Sequence, residues 1–193
     1  MKSTKKNYLK YVLIFFSIFS YFFLFYFKDY SISGSQGDFE SFYFNNIQLF
    51  KKDFYNSILN YGLMGDANYP LDYIFHAFLN PFSFNKNLYL LSTLFIGFFI
   101  FVIFAIILEK INFSKIDSFS ISSLILLLPW FSGRAYWGTS SVLGTFFLII
   151  SFYFFIKIKN SRNNANSIDV IFLCLFSSAA LYTRNAFIFF PIY

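Results

Sequence analysis

The sequence predicts an all-α, polytopic helical membrane protein, with about five transmembrane helices and an amphipathic helix lying in the interface within the first outer loop. Three observations predict it. Of 193 residues, 58% are hydrophobic and only 12% charged, so the apolar residues must gather in long runs rather than alternate with polar ones as in a soluble domain. Several runs are long enough to cross a hydrocarbon layer of about 30 Å as helix. The 15 basic residues fall in small groups at the ends of those runs, which is how topology signals are distributed. The same distribution excludes nucleic acid as a partner, because a net charge of +6 spread in this way forms no basic stripe. The 34 Phe and 15 Tyr accompany many Ile, Asn and Lys, the bias of an A/T-rich genome, and carry no functional weight.

After MKSTKKNYLK comes YVLIFFSIFSYFFLFYF, residues 11–27, uncharged and, with its flanks, about long enough to span. A signal peptide would end on small residues at a cleavage site; Lys28, Asp29 and Tyr30 follow instead, so the helix is read as retained. In the loop 28–87, Phe39, Tyr43, Ile47, Phe50, Phe54 and Ile58 recur at three- and four-residue spacing. This predicts the amphipathic helix, with its apolar face in the acyl boundary. Gly62, Gly65, Asp66, Asn68 and Pro70 end it. Further spans are expected at residues 88–108, 118–131, 136–156 and from 168 onward, the third short and holding Pro129 near its end. Arg134 then falls in a short turn, 132–136. The segment KNSRNNANS, 159–167, reads as a solvated loop. The whole chain reads as one transmembrane domain, and FIFFPIY, which closes it in apolar sequence, reads as an interruption within a longer polypeptide.

Lysines and arginines set the expected orientation. Lys2, Lys5, Lys6 and Lys10 precede the first span, Lys110 and Lys115 follow the second, and Lys157, Lys159 and Arg162 follow the fourth. These groups belong in the cytoplasm, which leaves the loop 28–87 outside. There Asp29, Asp38, Glu40, Asp53, Asp66 and Asp72 outnumber Lys28, Lys51, Lys52 and Lys86. A multi-pass protein of a bacterial inner membrane, with its N-terminus cytoplasmic, has this layout.

Few residues can carry chemistry. In GDFESFYF, Asp38 and Glu40 stand two apart, and two such positions on a helix point to different faces, so they do not form a matched carboxylate pair. Two readings stand: one carboxylate is a general base, or the segment Ser35-Gln36-Gly37-Asp38 is a capping box with acidic residues placed by the helix dipole. Arg184, in LYTRNAFIFFPIY, has apolar sequence on both sides. Either it grips an anion such as a lipid phosphate, or the fifth span ends near Thr183 and the arginine snorkels. His76 has no second imidazole or cysteine near it in sequence and reads as a hydrogen-bonded buried histidine rather than a metal ligand. The single cysteine, Cys174, excludes an internal disulfide and a zinc cluster. No Gly-rich phosphate loop and no G-x-S-x-G occurs.

The order of these features resembles the GT-C superfamily of polytopic glycosyltransferases, which includes the protein O-mannosyltransferases and the bacterial aminoarabinose transferases. DFESFYF is similar to that superfamily's first-loop acidic motif, and NYPLDYIFHAFLNPF, 68–82, to its Tyr-Pro-Pro-Leu segment. RAYWGTSSVLGTFFLIISFYFF, 134–155, and LYTRNAFIFFPIY are similar to two of its later helices. Leu71 stands where a second proline is common and Phe39 splits the acidic pair, and family members are usually much longer. The resemblance implies transfer of a sugar from a polyprenyl-phosphate donor to an acceptor hydroxyl. Asp38, or else Glu40, would be the catalytic base, Arg184, or else Arg134, would hold the phosphate, and Tyr69 and His76 would contact substrate. Carboxylate oxygens suit magnesium or manganese, but no metal is assigned. The partners implied are the lipid-linked sugar and membrane lipids; no protein partner is indicated. The competing expectations are a transporter or flippase component, which would show internal repeats and broken helices, and a non-catalytic membrane subunit.

Overall fold

The computed structural model describes residues 2–27, 35–64, 69–161 and 166–187, and no strand occurs among the described residues. Lys28, Asp29, Tyr30, Gly65, Asp66, Asn68, Arg162 and residues 188–193, which figure in the expectations above, lie outside these ranges, as do the side chains of Lys2, Lys5, Lys6 and Ser35. In chain order the helices are α1 (Lys2–Tyr26), α2 (Ser35–Asp38), a π-helix (Phe39–Tyr43), α3 (Phe44–Lys52), α4 (Phe54–Leu59) and α5 (Leu71–Phe78). Then come α6 (Lys86–Lys110), α7 (Lys115–Ser123), α8 (Pro129–Tyr136), α9 (Ser140–Asn160) and α10 (Ser167–Thr183).

By length and composition α1, α6 and α9 can cross a membrane, whereas α10, at 17 residues, is shorter. The expected third span is not one helix. A 3-10 segment, Leu124–Leu127, leads from α7 to Leu128, whose extended backbone (φ −73°, ψ 115°) precedes Pro129, and α8 departs at 70° to the preceding helix. The cause is local: a proline ring pushes the residue before it out of the helical region, while proline itself starts a helix well. Three helices among the described residues are thus long and apolar enough to cross, or four if α7 and α8 are counted as one bent span, against the five expected. Arg134 therefore stands on a helix and not in a turn.

In the bundle, α9 packs between α6 and α10, while α7 packs on α1 and α6. Close approach is needed where α1, α6 and α8 meet, because a side-chain carbon at Gly97 would run into the Tyr21 hydroxyl and the Ala135 methyl. Hydrogen bonds lock the same junction: Tyr21 donates to the Leu94 carbonyl (3.0 Å) and Tyr136 to the Tyr21 carbonyl (2.8 Å).

The first loop departs from its expected form. Its helix breaks at Asp53, which leaves the helical region (φ −149°, ψ 87°) and caps α4 by accepting from the Asn56 amide at 3.0 Å. Phe39, Tyr43, Ile47 and Phe50 are buried against protein rather than laid in an acyl boundary. Phe39 stacks on Tyr89 (5.7 Å) and meets Trp137 (5.5 Å), while Tyr43 and Phe50 pack on Tyr73 of α5. Phe54 and Ile58, beyond the break, are exposed. Helical periodicity reports that a face is apolar, not what covers it. Here α5 and the start of α6 cover it, at about 1.5–3 kcal/mol for each large side chain fully buried.

The two ends of the bundle differ. At one end, the basic end, Lys10 pairs with Asp117, Lys157 pairs with Asp169, and Asn160 donates to the Lys110 carbonyl. The opposite end carries the first loop, α5, α8 and the starts of α6 and α9.

Candidate functional site

The loop end is organised around the turn between α8 and α9. Gly138 there has φ +57°, and a Cβ at this position would lie 2.7 Å from the Tyr89 ring and the Thr93 methyl, so only glycine fits. From α6, Tyr89 donates to the Gly138 carbonyl (2.5 Å) and Thr93 to the Ala135 carbonyl (3.0 Å). From the π-helix, the Tyr43 hydroxyl donates to Ser140 Oγ (2.6 Å) and accepts from the Ser140 amide (3.3 Å). The Arg184 guanidinium donates to the Ser141 hydroxyl. Two consecutive serines at the start of α9 thus receive the acidic segment on one side and the end of α10 on the other.

On this frame sit the charges. Asp38 caps nothing with its side chain; its Oδ2 lies 4.0 Å from an Arg134 Nη, an ion pair from α2 to α8. The Arg134 guanidinium rests 5.9 Å over the Trp130 ring, and its Nε is buried without a hydrogen-bond partner among the described residues. Glu40 faces elsewhere, as a residue two positions on must. It accepts from the Gln36 amide (3.3 Å) and stands 3.6 Å from the Lys86 ammonium, which lies 5.2 Å over the Phe39 ring. Beside them a cleft of about 720 Å³ opens between the ends of α1 and α6, with Gln36, Glu40 and Lys86 on its polar side and Phe25, Tyr26 and Trp137 on its aromatic side.

The other predicted site residues separate. His76 is buried on α5, accepting at Nδ1 from the Asn80 amide (3.0 Å), which leaves the proton on Nε2, 3.8 Å from the equally buried Asp72 carboxylate. Loss of solvation pushes its pKa down from 6.5 to about 3, so the imidazole is neutral. Tyr69 is exposed and packs its ring 5.6 Å from Tyr182, near the end of α10. That helix ends at Thr183, and Arg184 is extended. The structure therefore brings Asp38 to Arg134, sets Glu40 apart with Lys86, and places Arg184, Tyr69 and His76 on three other surroundings.

Among the described residues no group of three or more His, Cys, Asp and Glu side chains can hold a metal ion. The two carboxylates of the acidic segment each face a cation of the protein, which does not suit a metal between them. Nothing in the sequence marks Trp130 or Ser140 as a site residue, and Lys86 enters there only in the charge balance of the first loop. Nothing local marks its approach to Glu40 across 46 residues. Tyr43 is visible as a member of the apolar stripe, but its hydroxyl partner is not. The chain matches no protein-family model, no curated protein and no solved structure.

Proposed function

We propose that the protein is a membrane glycosyltransferase that moves a sugar from a polyprenyl-phosphate donor to an acceptor hydroxyl on the extracytoplasmic face of a bacterial inner membrane, with its N-terminus in the cytoplasm. The observation that carries the reading is the Asp38–Arg134 pair at 4.0 Å, two partly exposed opposite charges. A donor phosphate offers the guanidinium two parallel hydrogen bonds, more than a carboxylate at that distance supplies, and so competes for Arg134. Asp38, released, accepts the acceptor's hydroxyl proton as that oxygen attacks the anomeric carbon. The bond from the anomeric carbon to the phosphate oxygen breaks, the phosphate leaves with the electron pair, and Arg134 stabilises its charge. The neighbouring cleft, aromatic on one side and polar on the other, suits a ligand that joins a hydrocarbon chain to a polar head.

The test is sugar transfer from a polyprenyl-phosphate donor at matched membrane levels. Asp38→Asn keeps the side chain's size and loses the base, and its rate falls by about a hundredfold to ten-thousandfold, while Glu40→Gln is milder. Retention of activity within a few fold by both variants would sink the mechanism. A second reading, a transporter or flippase component, draws on the 70° break between α7 and α8, since broken helices form substrate paths. Movement of intact lipid-linked sugar without transfer favours that reading. Orientation is checked by a membrane-impermeant thiol reagent on intact spheroplasts of a Cys174→Ser background. Exposed Tyr55→Cys is labelled and Ser161→Cys is not; the reverse overturns the placement of the site outside.

A further inference from the structure

At the basic end, away from the candidate site, α6 and α10 flank α9 and leave a valley of about 430 Å³. Its floor is Ile150, Tyr153 and Phe154 of α9, and its walls are Ile106 of α6 with Phe172 and Phe176 of α10. Phe154 is stacked on Phe172 (centroids 5.2 Å) and lies nearly parallel to Phe176 (interplanar 5°), which makes a smooth apolar wall. Two cations stand over rings that line the valley. The Lys110 ammonium lies 5.1 Å over Tyr153, and the Lys157 ammonium 5.9 Å over Phe154. We propose that this valley binds an anionic phospholipid, one acyl chain along the ring wall and the headgroup phosphate at Lys110 and Lys157.

The charges favour this occupant. Lys157 is tethered by Asp169 (2.7 Å), which holds the ammonium beside the Phe154 ring and uses one of its three N–H donors. That pair is neutral overall, so the uncompensated charge is Lys110, which no ion pair engages among the described residues. Glu109 leaves the helix about 100° further round from Lys110. Lys110 also stands one helical turn beyond Ile106, about 6 Å along the axis, which sets a phosphate one step above the first methylenes of a chain in the valley. A second copy of this chain, docked about a two-fold axis along the helices, would instead set Lys110 and Lys157 against their own images. The inference does not depend on the glycosyltransferase reading.

The experiment is native mass spectrometry of the protein released from micelles that contain equimolar phosphatidylglycerol and phosphatidylcholine with the same acyl chains. The wild type retains phosphatidylglycerol with at least a threefold preference. Lys110→Gln brings the two lipids close to parity, Lys110→Arg keeps the preference, and Lys159→Gln, which removes a cation in the last turn of α9 that is not among those over the valley's rings, leaves it unchanged. Ile106→Trp, which narrows the valley, lowers retention of both lipids. No preference in the wild type, equal loss with Lys159→Gln, indifference to Lys110→Gln, or a dimer in place of lipid adducts would each overturn the site.

Discussion

The basic end and the loop end of the bundle both carry opposite charges in pairs, but the pairs differ in kind. At the basic end Asp117 and Asp169 lie in the first turns of α7 and α10, where the helix dipole already favours a carboxylate. Each then takes a lysine from a neighbouring helix in close contact. These pairs close helix ends and tie α1 to α7 and α9 to α10. At the loop end the separations are 3.6 Å for Glu40–Lys86 and 4.0 Å for Asp38–Arg134, and no helix end is capped by the acidic partners. What is tight there is the layer beneath, where Tyr43, Tyr89 and Ser140 are buried and hydrogen-bonded. The contrast teaches how to tell a structural ion pair from an available one. Partial exposure is common to both ends; an available pair is marked instead by its longer separation, over a frame that keeps its geometry without it.

The sharpest way to break this comparison is to change the two arginines of the loop end alike. Arg134→Lys loses the planar fork and lowers sugar transfer by about a hundredfold, whereas Arg184→Lys still reaches Ser141 with one donor and stays within a few fold. Equal losses would mean that both serve the phosphate. Next in size is a pH effect confined to the buried layer. The folded pKa of His76, about 3, lies below its ordinary value of 6.5, so below pH 6.5 the unfolded chain binds the additional proton and stability falls as pH drops toward 3. Between pH 7 and pH 5 the loss is about 2 kcal/mol, and His76→Asn removes that slope. Unfolding in mixed micelles at the two pH values measures it; a slope that survives His76→Asn refutes the assignment. The smallest effect belongs to the basic end. Lys10→Gln breaks the pair with Asp117, whose carboxylate keeps its place in the first turn of α7, and stability changes by less than about 1 kcal/mol with transfer unaltered. A loss of activity there would erase the distinction between the ends.

Legibility in the sequence followed the range of the interactions. The helical class, the apolar runs near 11–27, 88–108 and 136–156, and the stop before residue 71 all rest on composition, spacing and local backbone preference, which neighbours in sequence report. The acidic segment stood out for a similar reason, since carboxylates are rare in this chain. Even the bend at Pro129 lay within reach, because the proline and the residue before it set it; the expected span 118–131 noted the proline but ran through it.

What only the tertiary structure decided is which side chain each candidate meets. Asp38 and Arg134 are 96 positions apart, and the pairing depends on the turn at Gly138, on α6 holding that turn through Tyr89, and on the π-helix docking through Tyr43. The same holds for the apolar stripe of the first loop, which is amphipathic by sequence yet covered by α5 up to Phe50 and bare beyond the break at Asp53. The physical reason is that periodicity and propensity sum over a few residues of one segment, whereas burial and charge pairing depend on the relative placement of segments. That placement is selected by the packing of all of them together.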